Sequence, residues 1–505
     1  MKILQTLWIS NKNDARIGWL STKFHLMSWA LSASSIQKYY SNIELVTDNL
    51  GKEILIDKLQ LPYHGVSLVQ EDFKPLLPSL WVLRKLYTYA RQNEPFIHID
   101  GDAYLFEPFN HEFLNAPLVA QNYEYNHPYY FQGFEEVMNN CFQIPNYLKE
   151  DYQGRLSAVN AGIMGGSNTG FFKKLYHEVT SFLEHNKDRL EQLEPFSFNI
   201  FLEQFWFKKL ADELQIPISY QMNQEIGYPF NYGLDRFWDL PTKCNYIHVM
   251  NYKQNPTICE QVAQRLYIES PALYERVVKV ANELKATKVS MYVADEKPSN
   301  FYRTELIAKQ LGITFSEDKV LAELTESHEN NVLKDAFQYE TEKLEFIKGL
   351  PSMEVYSAYR KQQSLSVNTV LSKSIEEVLN TTITFGEHVS LIESEWMWAE
   401  QNEFTGQDKT VDYLLNLQQE AAYFQVVLFG YPVSASIKEQ LSDTITILII
   451  DALQQVENNQ LLMQEVVDNV VNEIYTLNQS RSIEELSVAV LDKIRYLLYQ
   501  GVLIF

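Results

Sequence analysis

The stretch FIHIDGDAYLF, residues 96–106, decides how the first half of the chain is interpreted. Its apolar run has the length of a buried strand, and Asp100, Gly101 and Asp102 follow where that strand ends. Glycine permits a tight turn, so the two carboxylates can converge on one point. Two such oxygen ligands suit Mg²⁺ or Mn²⁺, which often bind carboxylates together with substrate phosphates. Asp and Gly are also the commonest residues of ordinary surface turns, and the motif alone does not choose between the two interpretations.

Around this stretch, short apolar runs alternate with segments of helical periodicity. The predicted strands are residues 1–8, 43–48 and 95–100, and the predicted helices are residues 24–40 and 79–92. Such alternation predicts an α/β fold, a Rossmann-related mixed sheet flanked by helices. Ligands of these sheets bind beyond the carboxyl ends of the strands. Asp48, Asp100 and Asp102 fall at such ends, so we expect the binding site there.

Charge and proline content divide the chain near residue 290. Residues 291–505 hold 33 acidic and 15 basic side chains, a net charge of −18, while residues 1–290 carry only −5 of the total −23. Fifteen of the seventeen prolines lie before residue 300. After that point the periodicity is helical at residues 306–311, 332–350, 411–424, 437–477 and 482–500. We therefore predict an α/β domain over residues 1–290, followed by an acidic, mostly α-helical domain over residues 291–505.

The composition also argues against several classes of protein. A net charge of −23 disfavours a nucleic-acid partner, which requires a basic surface. The three cysteines, Cys141, Cys244 and Cys259, are too few for a disulfide framework and lack the spacing of a zinc site. No apolar segment approaches the roughly 20 residues that a bilayer span requires, and the start of the chain does not follow a signal-peptide pattern. We expect a cytoplasmic protein without a membrane span.

Three further segments accompany the Asp-Gly-Asp turn in a fixed order. They are WVLRKLY at residues 81–87, VNAGIMGG at residues 159–166 and YIHVMNYK at residues 246–253. In this order and at these separations, the motifs resemble those of GT-A-fold, nucleotide-sugar-dependent glycosyltransferases. The glycogenin-like and bacterial galactosyltransferase-like enzymes of family 8 are the most similar. The resemblance covers about residues 1–255.

This resemblance implies a set of site residues and a reaction. The implied ligands of Mn²⁺ or Mg²⁺ are Asp100, Asp102 and His248. The implied donor-binding residues are Lys85, Asp100, Asn160, Ala161, Gly162 and Lys253. The implied reaction moves a sugar from a nucleoside diphosphate sugar to a hydroxyl acceptor, with retention at the anomeric carbon. Residues 7–11, just after the first strand, lack the acidic residue with which family 8 enzymes usually contact the nucleoside, so a UDP-sugar is only the default donor.

Two further groups of residues are candidates for catalysis and for acceptor binding. Glu203 and Gln204 lie where relatives place a polar residue facing the anomeric carbon; a helix with these side chains turned outward is the alternative. Residues 121–131 are dense in aromatic residues, as suits stacking on a sugar ring. The acceptor candidates there are Tyr123, Tyr125, Tyr129 and Tyr130. A surface loop that folds its aromatic side chains onto the sheet explains the same residues equally well.

The acidic second domain carries no catalytic motif, and it fits three roles. These are oligomerisation, for example as a homodimer, docking of a basic partner, and recognition of a peptide or protein acceptor. Two alternatives to a transferase also stay open. One is a catalytically inactive, glycosyltransferase-like binding or scaffold protein. The other is a sugar nucleotidyltransferase, which would normally carry a Gly-rich phosphate loop near its N-terminus, and none follows residues 1–8.

Overall fold

The computed structural model describes residues 1–9, 17–69, 77, 79–149, 155–222, 226–227, 233–240, 242–286, 301–312, 330–399, 424–477 and 479–505. They form two compact units. The first comprises Met1–Arg236, Cys244–Lys253 and Glu269–Ala286, and the second comprises Phe237–Lys243, Gln254–Ile268 and Thr287–Phe505.

The strands of the first unit are β1 (Lys2–Leu7), β2 (Ile43–Thr47), β3 (Gly65–Leu68), β4 (Phe96–Ile99), β5 (Ala103–Leu105), β6 (Leu118–Ala120), β7 (Tyr123–Tyr125), β8 (Ser157–Val159), β9 (Ile163–Gly166), β10 (Ile218–Tyr220), β11 (Ile226–Gly227) and β12 (Tyr246–His248). Seven of them form the main sheet in the order β10-β6-β9-β4-β1-β2-β3. The pairs within this sheet are parallel except those of β9, which runs antiparallel to β4 and β6. The predicted mixed sheet is therefore confirmed.

The helices up to residue 286 are α1 (Thr22–Gln37), α2 (Asn49–Lys52), α3 (Val82–Ala90), α4 (His111–Asn115), α5 (Pro128–Asn140), α6 (Thr169–His185), α7 (Pro195–Ile200), α8 (Trp206–Glu213), α9 (Pro256–Glu269) and α10 (Pro271–Ala286). Two segments are π-helical, Glu53–Lys58 and Phe201–Phe205. Most of α9 belongs to the second unit.

An apolar core lies on each face of the main sheet. In β4, Phe96 packs in one cluster with Leu4, whereas Ile97 and Ile99 pack in another with Ile3. Side chains alternate between the two faces of a strand, so the clusters lie on opposite faces. The first cluster includes residues of α3, α5, α6 and α8, and the second includes residues of α1 and α4. Helices thus cover both faces, as the sequence predicts for an α/β fold.

The chain leaves the main sheet at the end of β4. After the Asp-Gly-Asp turn, β5 pairs antiparallel with β12 and places Ala103 opposite His248. The backbone of β12 continues this contact, because the Val249 N–H donates to the Asp102 carbonyl oxygen at 3.0 Å. Two segments far apart in the chain therefore meet at the carboxyl end of a central strand.

The later part of the chain contains helices and two small sheets. Its helices are α11 (Tyr302–Gln310), α12 (Asn330–Gly349), α13 (Met353–Leu371), α14 (Ile375–Leu379), α15 (Thr444–Gln454), α16 (Met463–Leu477) and α17 (Ile483–Gln500). Its strands are β13 (Thr382–Phe385), β14 (Val389–Ser394), β15 (Phe424–Tyr431), β16 (Ser436–Leu441), β17 (Leu461–Leu462) and β18 (Leu503–Ile504). The sheet orders are β17-β13-β18 and β14-β15-β16, and their pairs are antiparallel.

The predicted helices of this part have different outcomes, and residues 411–423 of the one predicted over residues 411–424 lie outside the described residues. Helix α12 confirms the prediction over residues 332–350, and α17 confirms the one over residues 482–500. Ser482 caps α17 and Gly501 ends it in the left-handed conformation, with a φ of 80°. The continuous helix over residues 437–477 is wrong, because β16 covers its start and β17 separates α15 from α16. Apolar side chains in the short strands mimic a helical spacing.

A helix that crosses a bilayer needs about 20 predominantly apolar residues. Within the described residues, every helix is too short or too polar to cross a bilayer.

Candidate metal centre

The Asp-Gly-Asp turn joins β4 to β5, and neighbouring segments hold its backbone. The Asp100 N–H donates to the Gly162 carbonyl oxygen at 3.0 Å. The Ser28 hydroxyl, from α1, donates to the Gly101 carbonyl oxygen at 2.7 Å. These bonds fix the peptide group that precedes each aspartate, so the carboxylates project from a defined backbone.

Gly101 is required by packing rather than by backbone conformation. Its φ is not among the positive values of the chain. A Cβ atom at this position would lie 2.4 Å from the indole ring of Trp29 in α1. The conformational freedom expected of this glycine is therefore not what the turn uses, and close contact with Trp29 is the physical reason for the residue.

The side chains of Asp100, Asp102 and His248 converge beside this turn. Each offers one ligand atom, and these atoms lie within 4.8 Å of one another. Asp102 and His248 are buried, whereas 26% of the Asp100 side chain is exposed. The three predicted metal-binding residues thus form one cluster with a single accessible side.

The hydrogen bonding of His248 suits a metal ligand. Its Nδ1 lies 2.7 Å from the Gln121 side-chain oxygen, and that oxygen also accepts the Tyr246 hydroxyl at 2.8 Å. An amide oxygen only accepts, so Nδ1 carries a proton. Nε2 faces the Asp102 carboxylate at 3.6 Å. A histidine held at Nδ1 in this way can offer Nε2 to a metal ion, and with two carboxylates beside it the donor set fits Mn²⁺ or Mg²⁺.

Lys253 lies on the Asp102 side of this cluster. Its Nζ is 2.9 Å from Asp102 Oδ2. Burial by itself raises the pKa of the Asp102 carboxyl, but the charges and hydrogen bonds of Lys253 and His248 outweigh burial and hold this pKa below its ordinary value. Asp102 is therefore a carboxylate at neutral pH.

Lys85 lies on the Asp100 side. Its Nζ is 3.0 Å from Asp100 Oδ1 and 2.9 Å from Glu203 Oε1. Burial lowers the pKa of Lys85, but the two carboxylates together raise this pKa by more than burial lowers it, and the net shift is upward. The buried ammonium group therefore stays charged and connects Asp100 to Glu203.

The Asn-Ala-Gly segment packs directly against the cluster. Asn160 Nδ2 donates to Glu124 Oε1 at 2.8 Å, and Asn160 Oδ1 accepts the Gly162 N–H at 2.9 Å. Ala161 is buried. A Cβ atom at Gly162 would lie 2.5 Å from the imidazole of His248, so only glycine fits there. Asn160 thus supports the segment, and Gly162 contacts the cluster.

Glu203 and Gln204 belong to the π-helical turn Phe201–Phe205. Single π-turns are frequent at functional sites because they redirect side chains. Glu203 is turned inward rather than outward, since only 1% of its side chain is exposed and Tyr89 donates to it at 3.0 Å. Gln204 is half-buried, and its Oε1 lies 2.7 Å from the Tyr130 hydroxyl.

The four acceptor candidates separate into two groups. Tyr123 and Tyr125 flank Glu124 in β7, and alternation along a strand places them on the opposite face from its buried carboxylate. The Arg155 guanidinium lies over the Tyr125 ring at 4.2 Å. Tyr129 and Tyr130 instead lie beside Glu124, and the hydroxyl of Tyr130 donates to it. The second pair is thus connected through Glu124 to Asn160.

Sequence reasoning missed four polar residues that support the centre, namely Tyr89, His98, Gln121 and Glu124. His98 Nδ1 lies 3.6 Å from Asp100 Oδ1, and burial together with the charge of Lys85 holds the pKa of His98 well below its ordinary value. The Tyr-Glu-Tyr alternation of β7 was the available signal for Glu124, because it places one acidic side chain on the face opposite two aromatic ones. Tyr89, His98 and Gln121 stand in apolar surroundings without such a signal.

A comparison with protein-family models finds one that matches residues 1–280, more than half of the chain, and is described as "Family of unknown function (DUF6734)". The chain belongs to this family. The DUF6734 match spans the main sheet, the Asp-Gly-Asp turn, His248 and Lys253. A comparison with curated proteins gives no match.

Proposed function

We propose that this DUF6734 protein is a metal-dependent glycosyltransferase that moves a sugar from a nucleoside diphosphate sugar, by default a UDP-sugar, to a hydroxyl acceptor. The convergence of Asp100, Asp102 and His248 within 4.8 Å is the observation that carries the proposal. Lysines 2.9 and 3.0 Å from the two carboxylates support it, since a diphosphate leaving group requires positive charge beside the metal.

In this proposal Asp100, Asp102 and His248 hold Mn²⁺ or Mg²⁺, which when bound acts as a Lewis acid toward the departing diphosphate. Lys253 adds positive charge on the Asp102 side, where its ammonium group is one-third exposed. Lys85 is buried between Asp100 and Glu203 and orients the Asp100 carboxylate. Stabilisation of developing negative charge by fixed groups of this kind is usually the largest catalytic contribution.

We propose retention at the anomeric carbon, with Gln204 facing the transferred sugar. Gln204 is half-buried, whereas Glu203 is buried against Lys85 and Tyr89. In this proposal Glu203 holds the Lys85 ammonium group beside Asp100. An inverting enzyme would need a carboxylate base at the acceptor hydroxyl, and a buried carboxylate held by a lysine is poorly placed for that task.

The remaining parts of the proposal concern the acceptor and the location. Residues 291–505 carry a net charge of −18, so we propose that they recognise a basic peptide or protein acceptor or join two copies in a homodimer. Tyr129 and Tyr130 are the acceptor candidates whose hydroxyls contact Glu124, the carboxylate that holds Asn160. A cytoplasmic location is favoured by the three scattered cysteines.

Donor-dependent stabilisation and donor hydrolysis test the proposal. The full chain is heated with Mn²⁺ and a panel of nucleoside diphosphate sugars, and release of the nucleoside diphosphate is measured in parallel. We expect one donor to raise the melting temperature and to be hydrolysed slowly, and both effects to disappear in the double variant Asp100→Ala, Asp102→Ala.

The matched control is the double variant Asp188→Ala, Glu191→Ala, which removes two exposed carboxylates of the same unit. It is expected to behave like the unmodified protein. Binding without turnover would identify a binding protein instead of an enzyme. Neither binding nor turnover with any donor would refute the proposal.

A further inference from the structure

Glu124 is a buried carboxylate outside the predicted metal-binding and donor-binding sets. Its side chain is 0% exposed, in the short strand β7. One oxygen accepts Asn160 Nδ2 at 2.8 Å, and the other accepts the Tyr130 hydroxyl. Burial of a carboxylate lowers the stability of the fold unless hydrogen bonds satisfy it, as they do here. The groups that make these hydrogen bonds indicate what Glu124 does.

One arm of contacts leads from Glu124 to two residues of the metal centre. Asn160, held by Glu124, accepts the Gly162 N–H at 2.9 Å. The Gly162 carbonyl oxygen accepts the Asp100 N–H at 3.0 Å. The Cα of the same glycine lies against the His248 imidazole, where no Cβ fits. The Gly162 peptide therefore stands between Asp100 and His248 and fixes their separation.

A second arm of contacts leads from Glu124 to Lys85, which lies on the Asp100 side of the centre. Tyr130 hydrogen-bonds Glu124 and lies 2.7 Å from Gln204 Oε1. Gln204 follows Glu203 in the π-helical turn, and Glu203 holds Lys85, which contacts Asp100 at 3.0 Å. Both arms end at Asp100, so the contacts close into a ring. In such a ring, a displacement at Glu124 is transmitted to Asp100 from two directions.

We propose that Glu124 is a positioning residue of the metal centre: by hydrogen bonding Asn160 and Tyr130, it sets the geometry of Asp100 and His248. This inference rests on the proposed metal centre but not on the transfer reaction. Groups that orient metal ligands from behind typically contribute 10–100-fold to metal affinity. The hydrogen bonds from Asn160 and Tyr130 come from neutral groups, so the role that we propose depends on the hydrogen-bonding atoms of Glu124 rather than on its charge.

Mn²⁺ affinity of the full chain, measured by calorimetry and by the EPR signal of free Mn²⁺, tests the inference without any sugar donor. Glu124→Leu removes the hydrogen bonds to Asn160 and Tyr130, and the longer one to Tyr129, at similar volume. It is expected to weaken Mn²⁺ binding about tenfold or more. Glu124→Gln is expected to restore the affinity to within about threefold. The amide oxygen of the new side chain accepts a hydrogen bond from Asn160, and its N–H group donates one to the Tyr130 hydroxyl oxygen. The Tyr130 hydroxyl proton can then donate to Gln204 Oε1.

The matched control is Glu178→Leu. Glu178, in α6 of the same unit, is a carboxylate that accepts a tyrosine hydroxyl, from Tyr147, but it lies outside the ring. Its loss is expected to leave Mn²⁺ affinity unchanged. If Glu124→Leu fails to fold, as judged by circular dichroism, Asn160→Ala interrupts the first arm at a smaller side chain, and the same tenfold loss is expected.

The outcomes separate the inference from the proposed function. Equal Mn²⁺ affinity in Glu124→Leu and the unmodified protein would overturn the inference and leave the glycosyltransferase proposal standing. Equal losses in Glu124→Leu and Glu124→Gln would overturn it too, because Glu124 would then act through its charge. An unmodified protein that does not bind Mn²⁺ would overturn both the metal centre and its positioning residue.

Discussion

Lys253 Nζ lies 2.9 Å from Asp102 Oδ2, so a lysine implied in diphosphate binding is bonded to a carboxylate implied in metal binding. A divalent cation and this ammonium group compete for the same carboxylate oxygen. If the metal takes the oxygen, the lysine is released toward whatever anion lies beside the metal. Metal binding and diphosphate binding are thereby expected to favour each other.

Replacement of Lys253 by methionine tests this competition. We expect Lys253→Met to bind Mn²⁺ alone about fivefold more tightly, which corresponds to the loss of an ion pair worth about 1 kcal/mol. The same variant is expected to bind a nucleoside diphosphate more weakly in the presence of Mn²⁺. Calorimetric titrations with each ligand separate the two effects. Lys208→Met, which removes an ion pair to Asp212 elsewhere in the unit, serves as control. Unchanged or weaker Mn²⁺ binding by Lys253→Met would argue against competition.

The second prediction concerns the glycine that packs on the histidine. Gly162→Ala places a Cβ 2.3 Å from Gln121 Oε1 and 2.5 Å from the His248 ring, so one of them must move. We expect Mn²⁺ affinity to fall at least about tenfold, measured by titration. Gly170→Ala is the matched control, because its Cβ meets only Asn168 at an ordinary 3.5 Å. Equal affinities in the two variants would contradict the packing described for Gly162.

A third prediction addresses the Asp-Gly-Asp turn itself. Gly101→Ala forces a Cβ to within 2.4 Å of the Trp29 indole, and we expect the first unit to lose about 1–3 kcal/mol of unfolding free energy. Urea denaturation measures the loss. Because the cause is steric, Trp29→Leu in the same chain is expected to make the glycine replacement less harmful than it is alone. An additive double variant would show that the turn needs glycine for another reason.

The main features of the first unit could be predicted because they depend on local pattern. The apolar run of residues 96–99 ends in two aspartates, which places the turn at the end of β4. The Tyr-Glu-Tyr alternation signals that Glu124 lies on the face opposite two tyrosines, but its role in the centre could not be predicted, because that role depends on Asn160 and Tyr130. The reason for Gly101 was hidden for a similar cause, since Trp29 approaches it from a helix far back in the chain. Distances of this kind are set by tertiary packing, which periodicity does not encode.

A buried ion cluster in the second unit gives a pH-dependent prediction. Glu439 accepts the Arg303 guanidinium at 2.8 Å and the Tyr339 hydroxyl at 2.7 Å, and it also contacts Lys343. Burial raises the pKa of Glu439, but Arg303 and Lys343 lower it more, to about 2. The carboxylate therefore stabilises the fold fully above about pH 4.5, and this stabilisation is lost as the pH falls toward 2.

Glu439→Gln removes that charge. At pH 7 we expect it to lower the free energy of unfolding by about 3 kcal/mol, and we expect the difference from the unmodified protein to shrink between pH 4.5 and pH 2. Urea denaturation over this range measures both. The control is Glu354→Gln, an exposed carboxylate at the start of α13, for which little change is expected. A difference that stays constant with pH would show that Glu439 acts through packing or neutral hydrogen bonds.

The pairing of β5 with β12 has a consequence for the order in which the molecule is made. Ala103 and His248 are neighbours in this ladder, although most of the first unit lies between them in the chain. During translation, Asp100 and Asp102 leave the ribosome long before the histidine does. A nascent chain therefore presents two carboxylates without their imidazole, and closing so long a loop comes late in folding. If Asp100, Asp102 and His248 hold a metal ion as proposed, tight metal binding is expected only after His248 has joined the two aspartates.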